Sequence, residues 1–208
     1  MLSTTQPVQN ASRRVEQRRD PFPFPPWYHY PPLYTIQPCT RTRERQLHLW
    51  RRLILDYCEY YCIFTLRLND AESSQMPLFC NRAIQRRLSR ESLLCIFQDL
   101  VLRGDAAWSD PDTKEEMLVF WRSPRNWVDE LLQVVAQFGQ NRGGVFTLQE
   151  LGSLMIEHSS ICREMGSGTD RAVMPVPFLQ YVLSILTAEG KARVFGTSEG
   201  HGVKFAYT

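Results

Sequence analysis

The sequence predicts an α+β protein, mainly α, made of two tandem winged-helix domains that follow a proline-rich segment. Apolar residues recur at helical spacing, the two halves share one pattern, and each half ends in two strand-like runs around a turn. Aligning Gly104 with Gly190 sets the halves at an offset of 86 residues. The apolar positions then pair as Leu93 with Leu179, Ile96 with Val182, Phe97 with Leu183, Leu100 with Leu186 and Trp108 with Val194. A repeated unit of three helices and a hairpin is typical of a tandem winged helix.

The first domain is expected at residues 39–123. Leu47, Trp50 and Ile54 recur at spacings of three and four residues, which predicts a long helix over about 43–67. A short helix is predicted over 81–88 and a third over 90–103, with Ser89 as its cap and Gly104 as its end. The runs 106–109 and 117–122 flank an Asp-Pro-Asp-Thr turn and predict a hairpin.

The second domain is expected at residues 124–208 and follows the same order. A helical stripe that includes Trp127 ends at Gly139, and a short strand is predicted at 145–147. Thr147 and Glu150 have the spacing of a capping box, which predicts the start of the next helix. The remaining expectations are a polar loop over 158–173, a helix from Pro177 to Gly190, and a hairpin formed by 192–197 and 202–207.

Residues 21–38 contain two consecutive Pro-Pro-x-Tyr units, in the sequence PPWYHYPPLY from Pro25 to Tyr34. Proline fixes φ and removes a backbone donor, so the segment is predicted to be an extended polyproline II rod. Such a rod turns every three residues and would hold Tyr28 and Tyr34 roughly 19 Å apart. Because a thin rod cannot bury its own aromatic side chains, the segment is predicted to dock into pockets on another protein.

Composition and motifs exclude several classes of function. The 208 residues, 43% hydrophobic with a net charge of +2, suffice for a core and carry no strong polyanion-binding bias. No nucleophile–base pair, phosphate-binding loop or metal motif is present, so neither an enzyme nor a cofactor is expected. The six cysteines are predicted to be reduced thiols. Residues 1–20 are predicted to be a disordered tail, and the lack of a signal or spanning stretch predicts a cytoplasmic protein.

Five arginines cluster at the start of the first helix. They permit two interpretations, a solvated helix face or contact with an acidic lipid surface. The sequence leaves both open. The cluster consists of Arg41, Arg43, Arg45, Arg51 and Arg52.

A series of motifs, in order through both domains, resembles the smallest subunit of ESCRT-II. They are Pro-Pro-Leu-Tyr-Thr at 31–35, Pro-Leu-Phe-x-Asn at 77–81, Phe-Trp-Arg at 120–122, Gly-Gln-Asn at 139–141, Val-Phe-Thr-Leu at 145–148 and Gly-Val-Lys-Phe at 202–205. The resemblance spans about residues 22–208.

The resemblance implies a non-enzymatic subunit that sorts ubiquitinated cargo into multivesicular bodies, recruited peripherally from the cytoplasm to endosomal membranes. Two copies per complex would each grip a larger winged-helix subunit, with membrane contact mainly indirect. The second domain would recruit and activate an ESCRT-III subunit. Because a wing exposes strand edges and mixed side chains, Arg193 and Lys204 in the terminal hairpin are the expected contacts, and the alternative is that Lys204 is only a solvated strand residue. The implied contacts with the larger subunits are Pro25, Pro26, Trp27, Tyr28, Pro31, Pro32, Leu33 and Tyr34.

Two other functions remain open at this point. Pro-Pro-x-Tyr is also the motif that WW domains bind, so the chain could be an adaptor for a ubiquitin ligase. Winged helices often bind DNA, but the third helices offer few cations: 177–189 contains no Lys or Arg, so no nucleic-acid partner is expected.

Overall fold

The computed structural model describes residues 21–139, 143–163, 174–197 and 200–206. The predicted disordered tail at 1–20 and most of the predicted loop at 158–173 lie outside the described residues. Among the described residues, no helix combines the length and apolar character needed to cross a membrane.

The first unit contains three helices, a three-stranded antiparallel sheet in the order β1-β5-β4, and a separate two-stranded ribbon, β2-β3. A 3₁₀ turn, Arg82–Ile84, joins the two ribbon strands. The helices are α1 (Thr40–Tyr61), α2 (Leu68–Glu72) and α3 (Arg90–Leu102), and the strands are β1 (Thr65–Arg67), β2 (Cys80–Asn81), β3 (Arg86–Arg87), β4 (Ala106–Trp108) and β5 (Glu116–Val119).

The second unit repeats this order, with a sheet in the order β6-β8-β7. In each unit the last strand lies in the middle and pairs with the strand before it and with an early strand. Its helices are α4 (Pro124–Phe138), α5 (Leu148–His158), α6 (Ser160–Arg163) and α7 (Val176–Ala188), and its strands are β6 (Val145–Thr147), β7 (Ala192–Thr197) and β8 (Gly200–Phe205).

The predicted offset between the halves is present in the structure. Adding 86 to the bounds of α3 gives the bounds of α7, and both helices are followed by a glycine of positive φ, 78° at Gly104 and 71° at Gly190. The left-handed conformation lets the next amide reach back into the helix. The Asp105 amide donates to the Leu100 carbonyl at 3.0 Å, and the Lys191 amide to the Leu186 carbonyl at 2.9 Å. The fold is therefore a tandem pair of winged-helix units, as predicted.

Two predicted elements of the first unit are wrong. The first helix ends at Tyr61 rather than near 67, because Cys62 adopts a left-handed conformation with φ 54°. The residues that follow form β1, which the sequence did not predict. The short helix expected over 81–88 is instead the β2-β3 ribbon, since the Asn81 side chain accepts from the Ala83 amide and closes a tight turn. The short helix α2, directly after β1, corresponds to α5 after β6.

The two units meet through aromatic side chains. Phe64 of the first unit lies 4.9 Å from Phe178 and 5.7 Å from Trp127 between ring centroids, and Trp121 lies 4.7 Å from Trp127. All four rings are buried. The domain boundary at residue 123 stays a prediction, although Ser123 caps α4 by accepting from the Asn126 amide. Cutting the chain there would expose Phe64 and Trp121 to water.

Candidate functional site

The proline–aromatic segment, residues 21–38, is not an extended rod. Pro26–His29 and Pro31–Tyr34 are two 3₁₀ turns, closed by amide-to-carbonyl bonds such as Tyr28 to Pro25 at 2.9 Å and Leu33 to Tyr30 at 3.1 Å. The predicted polyproline II conformation is therefore wrong. A proline φ near −65° suits both conformations, and ψ alone separates them, so the prolines could not decide between them.

Tyr28 and Tyr34 point into the first unit rather than toward solvent. Each side chain is 4% exposed, and their ring centroids lie 5.9 Å apart, far closer than the extended rod requires. Tyr28 stacks on Phe24 at 4.1 Å, and Tyr34 packs edge-on against Trp50 of α1 at 5.5 Å. The expectation that both tyrosines need another protein for burial is wrong, because the chain buries them itself.

Hydrogen bonds fix the inward tyrosines in place. The Tyr28 hydroxyl donates to the Pro77 carbonyl, and the Tyr34 hydroxyl donates to the Tyr28 carbonyl at 2.9 Å. The Asn81 side-chain amide donates to the same Tyr28 carbonyl at 3.1 Å. Each buried hydroxyl thus has a partner, so the segment is part of the first unit's core.

Helix α1 holds the second turn from the other side. Gln46, which is 1% exposed, donates to the carbonyls of Leu33 and Thr35 at 2.9 Å each, and its own side-chain oxygen accepts from the Gln37 amide at 3.0 Å. The Trp50 indole also donates to the Leu33 carbonyl at 2.9 Å. Two buried side chains of α1 therefore hold the backbone of the segment in its position by hydrogen bonds.

Burial changes the acidity of these tyrosines. Desolvation raises the pKa of Tyr34 to about 12, although its hydrogen bond to Tyr28 opposes the shift. Desolvation, with a smaller effect of the neighbouring Tyr34, raises the pKa of Tyr28 above its ordinary value. The folded chain therefore holds both protons at a pH where an unfolded chain releases them.

We expect the first unit to lose stability at alkaline pH for this reason. The contribution of Tyr34 is complete below about pH 10 and disappears as the pH rises through 12, because the unfolded state then binds fewer protons than the folded one. Melting temperatures from circular dichroism across this range measure the effect. Tyr34→Phe should reduce the decline, leaving the part due to Tyr28. Tyr30→Phe is the matched control and should keep the wild-type profile; a full decline in Tyr34→Phe would contradict the assignment.

The outer face of the segment is apolar and accessible. Tyr30 is 59% exposed, Pro26, Pro31 and Pro32 are exposed, and Trp27, Leu33 and Pro25 are partly buried. Tyr30 was not predicted as a site residue. The sequence feature that could have identified Tyr30 is its position between the two motifs. Tyr28 and Tyr34 are separated by six residues and share one edge of a three-residue repeat, whereas Tyr30 falls on another edge. The structure thus leaves Tyr30 and three of the predicted prolines exposed, holds Trp27 against the buried Trp50, and buries Tyr28 and Tyr34.

A basic ribbon borders this outer face. Strand β3, Arg86–Arg87, packs against the turn Pro31–Tyr34. Both arginines are exposed, and neither forms an ion pair with another described residue. This ribbon was not predicted from the sequence. The ribbon borders an open cavity of about 380 Å³ lined by Cys80, Asn81, Arg82, Gln85, Arg86 and Arg87.

The second predicted site, on the terminal hairpin, also has a defined geometry. Arg193 of β7 and Lys204 of β8 are exposed cross-strand neighbours, and Val145 of β6 lies beside Lys204 on the other side. The Phe195 ring lies across Gly202, where an added Cβ would come within 2.7 Å of it. Val145 and Phe195 are 41% and 36% exposed. The outer face of this sheet therefore combines two cations with two apolar side chains.

The repeated helix–sheet units, joined behind a folded proline–aromatic segment, define the class of the molecule as a tandem winged-helix protein. Residues 27–163 match the family model described as ESCRT-II complex subunit. The chain is 33% identical to the vacuolar protein-sorting-associated protein 25 of Dictyostelium discoideum, covering 88% of this chain and 96% of that one. It is 36% identical to the same protein of Xenopus laevis, covering 86% and 97%.

Solved structures agree with this similarity. A crystal structure of subunit VPS25 of the endosomal trafficking complex ESCRT-II matches with a TM-score of 0.69 at 26% identity, covering 88% of this chain and 99% of that one. A chain of the endosomal complex VPS22/VPS25/VPS36 matches with a TM-score of 0.64 at 25% identity, covering 87% and 98%. This chain belongs to the family of ESCRT-II complex subunits, which are components of a sorting complex rather than a family of enzymes.

Proposed function

We propose that this chain is a non-enzymatic ESCRT-II subunit that docks on the larger subunits VPS22 and VPS36 through the outer face of residues 21–38. Two copies enter each complex, one on each larger subunit. The observation that carries the proposal is an exposed aromatic, Tyr30, held among exposed prolines on a segment that is already folded. A folded segment loses little conformational entropy on binding, which favours affinity.

The outer face has the chemistry of a hot spot. An exposed tyrosine among prolines offers a large apolar area at low entropic cost, and aromatic side chains dominate the binding energy of many interfaces. Arg86 and Arg87, which form no ion pair with another described residue, flank it with positive charge. The complementary partner surface is an apolar pocket with an acidic rim. Tyr28 and Tyr34 then serve to position this face rather than to enter the partner's pocket.

Reconstitution tests the proposal directly. The full chain is expressed with the VPS22 and VPS36 subunits of the same organism and purified through a tag on VPS36. The expected product is a stable complex whose native mass corresponds to two copies of this chain and one of each larger subunit. Failure of the chain to copurify, with both larger subunits present and folded, would contradict the proposal.

We propose further that the outer face of the second sheet recruits and activates an ESCRT-III subunit at endosomal membranes. Its mixture of Arg193, Lys204, Val145 and Phe195 suits an amphipathic helix with acidic and apolar residues, because the charges attract and orient it while the apolar side chains add buried area. Peripheral recruitment to endosomes would follow from the assembled complex.

The double variant Arg193→Glu/Lys204→Glu is expected to weaken binding of the ESCRT-III subunit at least about ten-fold, since two attractive contacts become repulsive. A pull-down with purified complex measures this. Arg103→Glu/Lys114→Glu is a control with the same change in net charge at exposed positions of the first unit that lie outside the proposed docking surface. Equal binding by both variants would remove this sheet from the proposal.

The two alternative functions are less compatible with the geometry. A WW domain binds an extended Pro-Pro-x-Tyr segment with an accessible tyrosine, whereas both motif tyrosines here are 4% exposed within 3₁₀ turns. For DNA, α7 contains no Lys or Arg, and the one Arg of α3, Arg90, pairs with Glu72 at 2.6 Å. A groove-reading helix needs free cations.

A further inference from the structure

The outward face of α1 carries a row of basic side chains, which we call the α1 stripe: Arg41, Arg45, His48 and Arg52. The residues are spaced by four, three and four positions, so at 100° per residue they fall within a sector of about 60°. All four are exposed. The buried residues of the same helix, which include Gln46, Trp50 and Leu53, lie on the opposite side. The stripe therefore faces directly away from the core.

The structure separates the stripe from the rest of the arginine cluster. Arg43 donates to the carbonyls of Gln37 and Pro38, and Arg51 pairs with Asp105, so both have structural roles. Arg41 and Arg45 form no ion pair with any described residue. Arg52 approaches Asp56 only at 4.0 Å, with 78% of its side chain exposed, and such a surface pair contributes little. Glu44, the nearby acid on this turn, also pairs with no described residue.

We propose that the α1 stripe is a contact surface for anionic phospholipid headgroups. Four basic groups in one narrow sector of a straight helix can approach a single plane together, which a bilayer surface provides. No stripe residue lines either of the two cavities found among the described residues or takes part in a described ring contact, so the stripe lacks the features that recognise a shaped ligand or a nucleic acid. Its charge alone selects an anionic surface. A chain of the ESCRT-II endosomal trafficking complex is among the solved structures that match this one.

The expected strength suits an auxiliary contact. Each arginine near an anionic membrane raises partitioning about five-fold, so three give about a hundred-fold at moderate salt. That is weak for an isolated chain, but two copies in one complex would add their contributions through multivalency. The contact is also salt-sensitive, because exposed charges are screened. This inference does not depend on how residues 21–38 dock.

The test is cosedimentation of the full chain with vesicles of phosphatidylcholine alone or mixed with phosphatidylserine. The stripe variant is Arg41→Glu/Arg45→Glu/Arg52→Glu. The matched control, Arg103→Glu/Lys114→Glu/Lys191→Glu, makes the same change in net charge at exposed basic residues outside both proposed docking surfaces. Circular dichroism establishes that both variants keep the wild-type helix content. A milder variant with Gln at the three stripe positions covers the case in which charge reversal disturbs α1.

We expect wild type and control to bind the phosphatidylserine vesicles and not the neutral ones, and the stripe variant to bind at least ten-fold more weakly, with the Gln variant in between. Equal loss in control and stripe variants would overturn the proposal, since net charge alone would then account for binding. So would an absence of wild-type binding at low salt. Stripe-dependent binding to duplex DNA without vesicle binding would replace the membrane with a nucleic acid.

Discussion

Replacing Tyr34 with Ala should lower the free energy of unfolding by about 3–5 kcal/mol, the usual cost of truncating a large buried aromatic side chain. The ring packs against Trp50 and its hydroxyl donates to the Tyr28 carbonyl, so truncation leaves a cavity and removes one of the two donors to that carbonyl, the other being Asn81. Tyr28→Ala should have a similar cost, because it removes the stacked partner of Phe24 and the donor to Pro77. Since whole proteins are stable by about 5–15 kcal/mol, the double variant should unfold the first unit.

Chemical denaturation followed by near-ultraviolet circular dichroism measures this effect. Tyr30→Ala is the matched control, a tyrosine of the same segment that is 59% exposed, and its stability should stay within about 0.5 kcal/mol of wild type. A Tyr34→Ala chain with the wild-type unfolding midpoint would show that the segment is not part of the core. The outcome separates a structural tyrosine from a partner-binding one.

The double variant Tyr30→Ala/Arg86→Glu should prevent assembly with VPS22 and VPS36 while leaving the chain folded. Truncation of a central aromatic hot spot costs about 2 kcal/mol or more, and reversal of a flanking charge adds repulsion from an acidic rim. Together they should weaken binding about a thousand-fold, enough to lose the complex during size-exclusion chromatography.

Leu102→Ala is a suitable control for this experiment. Leu102 is 77% exposed at the end of α3, so its truncation also removes exposed apolar area, but at a position outside the proposed surface. The control chain should copurify normally. Normal assembly of the double variant, with unchanged melting temperature, would exclude the outer face of residues 21–38 as the docking surface.

The sequence predicted best those elements that local signals define. Helices α3 and α7 were predicted almost to the residue, because their ends depend on residues within a few positions. Ser89 caps the start of α3, and Gly104 and Gly190 follow the ends of the two helices. Strand β1 was missed because three residues carry little pattern of their own. Its existence depends on pairing with β5, in which Leu66 faces Met117 from 51 positions away.

The conformation of the proline–aromatic segment, residues 21–38, was predicted wrongly, and its docking role stays a prediction. Proline restricts φ but leaves ψ free between the extended and 3₁₀ values. Distant contacts decide ψ here: Asn81 bonds the Tyr28 carbonyl across 53 positions, and Trp50 bonds the Leu33 carbonyl across 17. No local pattern reveals such bonds. The same contacts turn Tyr28 and Tyr34 inward and leave Tyr30 outside, which the motif alone could not indicate.

The most direct test of the proposed docking surface is the ratio of two dissociation constants. Purified VPS22–VPS36 pairs are titrated with Tyr30→Ala and with Tyr34→Phe chains, which change one tyrosine each within the same segment. The outer-face account predicts that Tyr30→Ala binds about 30-fold more weakly than wild type, while Tyr34→Phe binds within about three-fold of it. The account would be contradicted if Tyr30→Ala bound with wild-type affinity while a folded Tyr34→Phe chain lost most of its affinity. That result would indicate that the motif tyrosines, rather than Tyr30, contact the partner.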